Sequence, residues 1–122
     1  LKRVYHNYDF EMNVNYFYQL PDPVLGVHRH YGTDQIRKGT HFVNSSRYSN
    51  PKLDALLDSG AGEPDAAKRT AKYKEIQQIL AEDMPVVNLF ELEFLVVYNT
   101  KLKGVYDSAM GAYGSFREGY LD

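Results

Sequence analysis

The sequence predicts a folded domain of the α/β class. Three observations support this prediction: two helical patterns that each follow a capping residue, at 50–60 and 65–84, an alternating apolar and polar pattern over 8–20, and two short apolar runs at 86–90 and 94–98. Strands covered on both faces, together with amphipathic helices, are typical of sheets with flanking helices. The length of 122 residues fits one domain with a core, or a piece of a larger protein.

The composition excludes several classes of function. There are 14 Lys and Arg against 16 Asp and Glu, so the net charge of −2 argues against a nucleic-acid surface, which needs clustered basic residues. The absence of Cys excludes disulfides, thiolate metal ligands and a Cys nucleophile. The aromatic content is high, with 11 Tyr and 6 Phe. Tyr suits both core packing and half-exposed surfaces that bind ligands.

Residues 8–20 alternate in a way that predicts a β-strand. Polar side chains occupy one face, interrupted by Phe17, and a period of two places the other face on a core. Pro21 and Pro23 end the strand because neither can donate a hydrogen bond to a ladder. The predicted buried face consists of Phe10, Met12, Val14, Tyr16, Tyr18 and Leu20.

The stretch 24–49 shows no sustained period and is predicted to be mostly loop, with a short helix from Val24 to about Tyr31. His28 and His30 lie two residues apart and could share a metal with a third ligand. Nothing else in the sequence supplies donors at a useful spacing, so we expect them to be solvated loop residues. Asn44 begins an Asn-Ser-Ser glycosylation triplet, a pattern too common to indicate modification by itself.

Two helices are predicted next. Asn50 is a good N-cap, Pro51 is favoured at the first helical position, and Gly60 and Gly62 end this helix. Its apolar stripe consists of Leu53, Leu56 and Leu57.

Asp65 caps the second helix, which Pro85 ends. Its apolar positions recur every three or four residues, at Ala66, Thr70, Tyr73, Ile76, Ile79, Leu80 and Met84. The basic residues on its other side are expected to form a solvated face: Lys68, Arg69, Lys72 and Lys74.

The runs 86–90 and 94–98 are rich in β-branched and aromatic residues and predict two strands. Glu91 and Glu93 between them could act as an acid–base pair, but a polar turn is favoured. A turn at 101–104 follows, after which Val105 and Tyr106 could resume a strand. The tail has no visible partner in the chain, and its aromatic residues are Tyr113, Phe116 and Tyr120.

No catalytic motif is present. The sequence contains no phosphate-binding glycine loop, no Gly-x-Ser-x-Gly elbow and no His-Glu-x-x-His pair. The sequence is rich in aromatic residues that suit half-exposed surfaces and has no recognisable set of catalytic side chains. This favours ligand binding over catalysis, and no enzyme activity is expected.

Several segments resemble a known family in their order and spacing. Residues 48–57 (YSNPKLDALL) match a Tyr-x-Asn-Pro-x-x-Asp-x-Leu-Leu helix, 65–83 match an Asp-x-x-Lys-Arg helix, and 84–87 (MPVV) match an x-Pro-Val strand. Upstream, 8–12 (YDFEM) and 20–23 (LPDP) resemble an Asp-Phe-Asp strand and an Asp-Pro turn. This set resembles the extracytoplasmic solute-binding proteins of the peptide/nickel class that serve ABC importers, bacterial solute-binding protein family 5.

The resemblance implies a fragment of a longer, two-lobed protein with the type II periplasmic-binding-protein fold. Residues 1–103 would be the C-terminal part of the second lobe, and 104–122 a tail that returns to the first. The implied partners are a small solute (peptide or oligosaccharide), the rest of the same polypeptide and the membrane permease of an ABC importer. The implied location is periplasmic or anchored at the cell surface. The resemblance implies neither a cofactor nor a metal. The alternative is the solute-sensing domain of a transcription regulator.

The resemblance also implies a ligand-binding segment at Tyr16, Phe17, Tyr18 and Gln19. Peptide-binding members of the family have here an aromatic residue, two small residues and an Asp that pairs with the ligand's α-amino group. This chain keeps the aromatic residue as Tyr16 but has Gln19 at the position of the Asp, and large rings replace the small residues. A neutral solute, such as a blocked peptide or an oligosaccharide, is therefore expected rather than a free-amine peptide.

Overall fold

The structure is a computed structural model that describes residues 1–18, 20–92, 95–105 and 114–122. The chain forms two compact units, Leu1–Val87 and Asn88–Asp122. The α-helices of the described residues all belong to the first unit, and the described β-strands belong to the second.

The first unit begins with a π-helical turn, Lys2–Asn7, and holds three α-helices: α1 (Pro23–Tyr31), α2 (Pro51–Ala61) and α3 (Ala66–Asp83). A 3-10 helix at Thr33–Gln35 follows α1. The three predicted helices are confirmed with bounds close to those expected from the sequence.

Side-chain caps explain why these helices begin where they do. The Asn50 side chain accepts hydrogen bonds from the amides of Lys52 and Leu53, and the Asp65 side chain accepts one from the amide of Lys68. Amides in the first turn of a helix have no partner within the helix, so these contacts fix the starts of α2 and α3. Both caps were predicted from the sequence.

The core of the first unit lies between α2 and α3. Leu53 and Leu57 from α2 are buried against Ile76 and Ile79 from α3. Side chains from α1 and from the segment before α2 contribute to the partly buried shell around this cluster, which consists of Val27, Tyr31, Tyr48, Leu56, Tyr73 and Leu80. The predicted apolar stripes are therefore confirmed at their centres.

The ends of the predicted α3 stripe do not reach the core. Ala66 and Thr70 are exposed, and so is Met84, which ends the helix in the left-handed backbone region at φ 43°. Helix α3 begins before it reaches α2, and the chain leaves the helix at Pro85. The outermost apolar positions of the stripe therefore lie beyond the contact between α2 and α3.

The basic side of α3 is not simply a solvated face, as the sequence had suggested. Lys72 Nζ lies 2.9 Å from Glu63 Oε2, and Arg69 Nη2 lies 2.8 Å from Asp22 Oδ1. The first pair joins α3 to the α2–α3 connection, and the second joins it to the start of α1. The helical period alone could not show these contacts because both carboxylates lie on other segments.

The strand predicted over 8–20 is wrong for the described residues in this range, 8–18 and 20. They form no ladder, and Met12, Val14 and Tyr16 on the expected core face are exposed. A strand needs a neighbour to satisfy its amides and to cover its apolar face. The first unit offers this segment helices and loops instead of another strand.

The apolar runs and the tail also depart from the prediction. The described parts of 86–90 and 94–98 form no strand, and Leu95 and Val97 are almost fully exposed. The ladder that does form is short, with β1 (Leu102–Lys103) antiparallel to β2 (Tyr120–Leu121). Between them Gly104 turns the backbone at φ 67°, a conformation that glycine adopts without steric cost.

Pairing with β1 gives the tail a partner, contrary to the sequence expectation. Phe116 and Tyr120 are nevertheless exposed, and Tyr113 lies outside the described residues. The predicted resumption of a strand at Val105 is not seen. Val105 is buried and lies beyond the end of β1, and Tyr106 is not among the described residues.

The fold class agrees with the prediction in its coarse form: helices combined with a small antiparallel sheet. The assignment of 1–103 and 104–122 to different lobes stays a prediction. None of the helices in the described part of the chain combines the length and apolar character needed to cross a membrane.

Candidate functional site

The predicted ligand-binding segment lies against α1. The ring of Phe17 meets the imidazole of His30 with 3.9 Å between centroids and 45° between planes. On either side of Phe17, Tyr16 is 55% exposed and Tyr18 is 39% exposed. Gln19, the fourth predicted residue, lies outside the described residues. The structure thus presents two tyrosines at the surface beside one ring that packs inward.

His30 has a different environment from the one that the sequence predicts. It lies in the last turn of α1 and is only 4% exposed, so the expectation of a solvated loop histidine is wrong. Burial, with a smaller contribution from the Arg29 charge, lowers the pKa of His30 to about 4. The imidazole is therefore neutral at pH 7 and can pack against Phe17 as an uncharged ring. His28 is also helical and partly buried.

The start of α1 is tied to α3. Asp22 caps α1 by accepting a hydrogen bond from the amide of Val24, and both of its carboxylate oxygens accept hydrogen bonds from Arg69 Nη2 at 2.8 and 3.1 Å. The Val24 amide and then the Arg69 guanidinium lower the pKa of Asp22. The carboxylate therefore remains charged at neutral pH and holds the end of α1 against α3.

The end of α1 is held by a buried amide. The Nδ2 group of Asn44 donates to the backbone carbonyls of Tyr31, Gly32 and Tyr48 at 3.3, 3.0 and 2.8 Å. Its Oδ1 atom accepts a hydrogen bond from Ser46 Oγ. Asn44 is buried, so the glycosylation triplet forms a structural bridge in this fold.

The candidate segment is also anchored on its N-terminal side. Asn15 Nδ2 donates a 3.0 Å hydrogen bond to Tyr5 Oη. Tyr5 is buried and packs with the rings of His41 and Phe42. Asn15 and Phe17 therefore hold the segment on both sides of Tyr16.

The segment before α2 carries a second polar cluster. Tyr48 Oη and Asn50 Nδ2 both donate to Asp83 Oδ2, which connects the start of α2 to the end of α3. Burial, and then the Asp83 carboxylate, raise the pKa of Tyr48 to about 12. The phenol stays protonated and serves as a structural donor.

The acid–base pair considered from the sequence lies only partly within the described residues. Glu91 is exposed and Glu93 lies outside the described residues. Within the described ranges, no group of three His, Asp or Glu side chains could hold a metal ion. The features that converge here are aromatic rings and hydrogen-bonded anchors, an arrangement suited to binding a solute by stacking and apolar contact.

Acidification is expected to destabilise the first unit. The pKa of His30 falls from its ordinary 6.5 to about 4 on folding, so the unfolded chain binds the proton more tightly. The stability that this pKa difference contributes is fully present above pH 6.5 and is lost as the pH falls towards 4. The free energy of unfolding should be about 2 kcal/mol lower at pH 5 than at pH 7. Urea unfolding followed by the helical circular-dichroism signal measures this difference.

The matched variants for this prediction are His30→Phe and His28→Gln. The first removes the titrating group and should abolish most of the difference between pH 5 and pH 7, whereas the second should keep it. Asp22 and Asp83 titrate at lower pH, because hydrogen bonds lower the pKa of each carboxyl group. An equal difference in the wild type and in His30→Phe would contradict the assignment to His30.

Comparison with known proteins gives partial matches. The chain is 29% identical over 98 residues to the Escherichia coli (strain K12) protein named "Probable D,D-dipeptide-binding periplasmic protein DdpA". It is 34% identical over 67 residues to "Protein XP55" of Streptomyces lividans, and 30% identical over 69 residues to "Probable ABC transporter periplasmic-binding protein SapA" of Escherichia coli (strain K12).

These matches cover 80%, 55% and 57% of this chain, but only 18%, 12% and 13% of the respective relatives. The chain thus spans less than a fifth of the length of the curated relatives it matches. No protein-family model matches the chain, and neither does any solved structure. The likeness is to part of a periplasmic binding protein.

Proposed function

We propose that the chain is part of the solute-binding component of an ABC importer, in family 5 of the bacterial solute-binding proteins. The observation that carries this proposal is the similarity, over 80% of the chain, to a protein named as a D,D-dipeptide-binding periplasmic protein. The SapA relative is named as an ABC transporter periplasmic-binding protein, which points the same way. The role is capture of a solute outside the cytoplasm and its delivery to a membrane permease, without catalysis.

Residues 1–103 belong, in this proposal, to the second of two lobes, and 104–122 return to the first. The much greater length of the relatives supports a larger parent protein. Solute is held between the lobes, which close over it by a hinge movement.

The proposed solute is a peptide or a related oligomer without a free α-amino group. Tyr16, Phe17, Tyr18 and Gln19 form the binding segment. The exposure of Tyr16 and Tyr18 supports this role, since their rings can stack on a solute. Gln19 offers an amide, which pairs well with neutral polar groups and lacks the charge that an ammonium group requires.

Calorimetry on the full-length protein that contains this chain tests the proposal. We expect N-acetyl-D-alanyl-D-alanine to bind at least about tenfold more tightly than free D-alanyl-D-alanine, because the family's carboxylate–ammonium pair is missing. Gln19→Asp should reduce or reverse this preference by restoring the carboxylate. Tyr16→Ala should weaken both ligands by a similar factor, since stacking does not depend on the amine.

The preference between the two ligands is the decisive readout. A protein that binds the free dipeptide more tightly would contradict the assigned solute class. A folded full-length protein that binds neither dipeptide, nor an oligosaccharide such as maltotriose, would contradict the proposed function itself.

A further inference from the structure

We propose that His30 is a positioning residue for the solute-binding segment: its buried imidazole holds Phe17, and Phe17 in turn fixes Tyr16 and Tyr18 in their exposed positions. This inference rests on the proposed function, because it names the residue that prepares the proposed binding surface. His30 itself touches no solute in this arrangement.

The pattern of burial and exposure over three consecutive residues is the first support for this positioning role. Phe17 is partly buried against His30, while the tyrosines on either side are exposed. The contact between Phe17 and His30 therefore gives this irregular segment an orientation in which Tyr16 and Tyr18 are exposed.

The rigidity of the helix beneath the segment is the second support. Arg69 of α3 holds Asp22 at the start of α1, and Asn44 bonds the carbonyls of Tyr31 and Gly32 at its end. His30 lies beside this second anchor. A ring fixed on a helix that is held at both ends can serve as a platform for a segment that has no ladder of its own.

The chemistry of the pair is the third support. The Phe17 and His30 centroids are close enough for van der Waals contact between the rings. Because His30 is buried, a substitution that keeps a ring should preserve the contact, whereas Ala should remove it. Without the contact, residues 15–18 would have to be ordered when solute binds, which weakens binding without removing any direct solute contact.

The experiment compares His30→Ala, His30→Phe and His28→Ala in the full-length protein. Two readouts are used: affinity for N-acetyl-D-alanyl-D-alanine, and amide hydrogen exchange of residues 15–18 in the unliganded protein. We expect His30→Ala to bind about tenfold more weakly and to exchange faster in this segment. His30→Phe should stay within about threefold of the wild type in affinity, with near wild-type exchange.

His28→Ala is the matched control on the same helix. His28 Nε2 is buried and has no hydrogen-bond partner among the described residues, and the ring contact of Phe17 is with His30. We expect wild-type affinity and exchange from this variant. If His30→Ala does not fold, Phe17→Ala removes the same contact from the more exposed side. Because Phe17 belongs to the proposed binding segment, the deciding readout for this variant is amide exchange of residues 15–18, which should be faster than in the wild type.

The two readouts separate the inference from the function on which it rests. Wild-type affinity and exchange in His30→Ala would overturn the positioning role, as would equal impairment of His30→Ala and His30→Phe. A wild-type protein that binds no probe would contradict the proposed function, while faster exchange of 15–18 in His30→Ala would still support the hold of His30 on the segment.

Discussion

Leu53→Ala is expected to lower the free energy of unfolding of the first unit by about 3 kcal/mol, because it opens a cavity in the centre of the core. Leu53 is completely buried on α2 and belongs to the cluster with Leu57, Ile76 and Ile79. The residues around such a substitution relax only partially, so part of the space left by the side chain remains as a cavity. Urea unfolding followed by the helical circular-dichroism signal measures the loss.

Leu25→Ala is the matched control, since it is the same substitution at a helical position that is 55% exposed. It should change the free energy of unfolding by about 0.5 kcal/mol or less, because little buried surface is lost. Equal losses in the two variants would show that the α2–α3 contact does not carry the stability of this unit.

The helices could be predicted because their signals are local. Asn50 and Asp65 each cap a helix within a few residues, and the apolar stripe of α2 repeats with the period of one helix. Such information is contained in the segment itself. It tells where a helix begins and which face is apolar, whatever the rest of the chain does.

The strands could not be predicted in the same way, because a strand depends on its neighbours. Residues 8–20 have the period of a strand, yet the described part of the segment lies on α1 and loops. Val97 has a strong preference for strands and is almost fully exposed in the second unit. Strand propensity and an alternating pattern show that a segment can pair as a strand when a neighbouring strand is available. They do not show whether such a neighbour exists.

The ligand-binding role of the candidate segment stays a prediction. The resemblance indicated Tyr16, Phe17, Tyr18 and Gln19, and the structure presents the two tyrosines at the surface. The contact between Phe17 and His30 had no signal in the sequence, since it joins an irregular segment to one position on a helix. Asn44 was equally hidden, because a buried Asn that bonds carbonyls looks the same in sequence as one on the surface.

Asn44→Asp is expected to lower the free energy of unfolding of the first unit by about 3 kcal/mol, because one buried donor group serves several carbonyls. The substitution keeps the shape of the side chain and the oxygen that accepts from Ser46. It replaces the donating NH₂ by an oxygen that faces the carbonyls of Tyr31, Gly32 and Tyr48. The loss should appear in urea unfolding at pH 7 as a lower midpoint with an unchanged slope.

Asn13→Asp makes the same chemical change and the same change in net charge at an exposed position. It should alter the free energy of unfolding by about 0.5 kcal/mol or less. Because the two variants have equal charge, any difference between them reports the buried hydrogen bonds of Asn44. If Asn44→Asp were as stable as Asn13→Asp, the carbonyls at the end of α1 would not depend on the Asn44 amide. Asn44 would then not be the anchor that fixes His30 beneath Phe17.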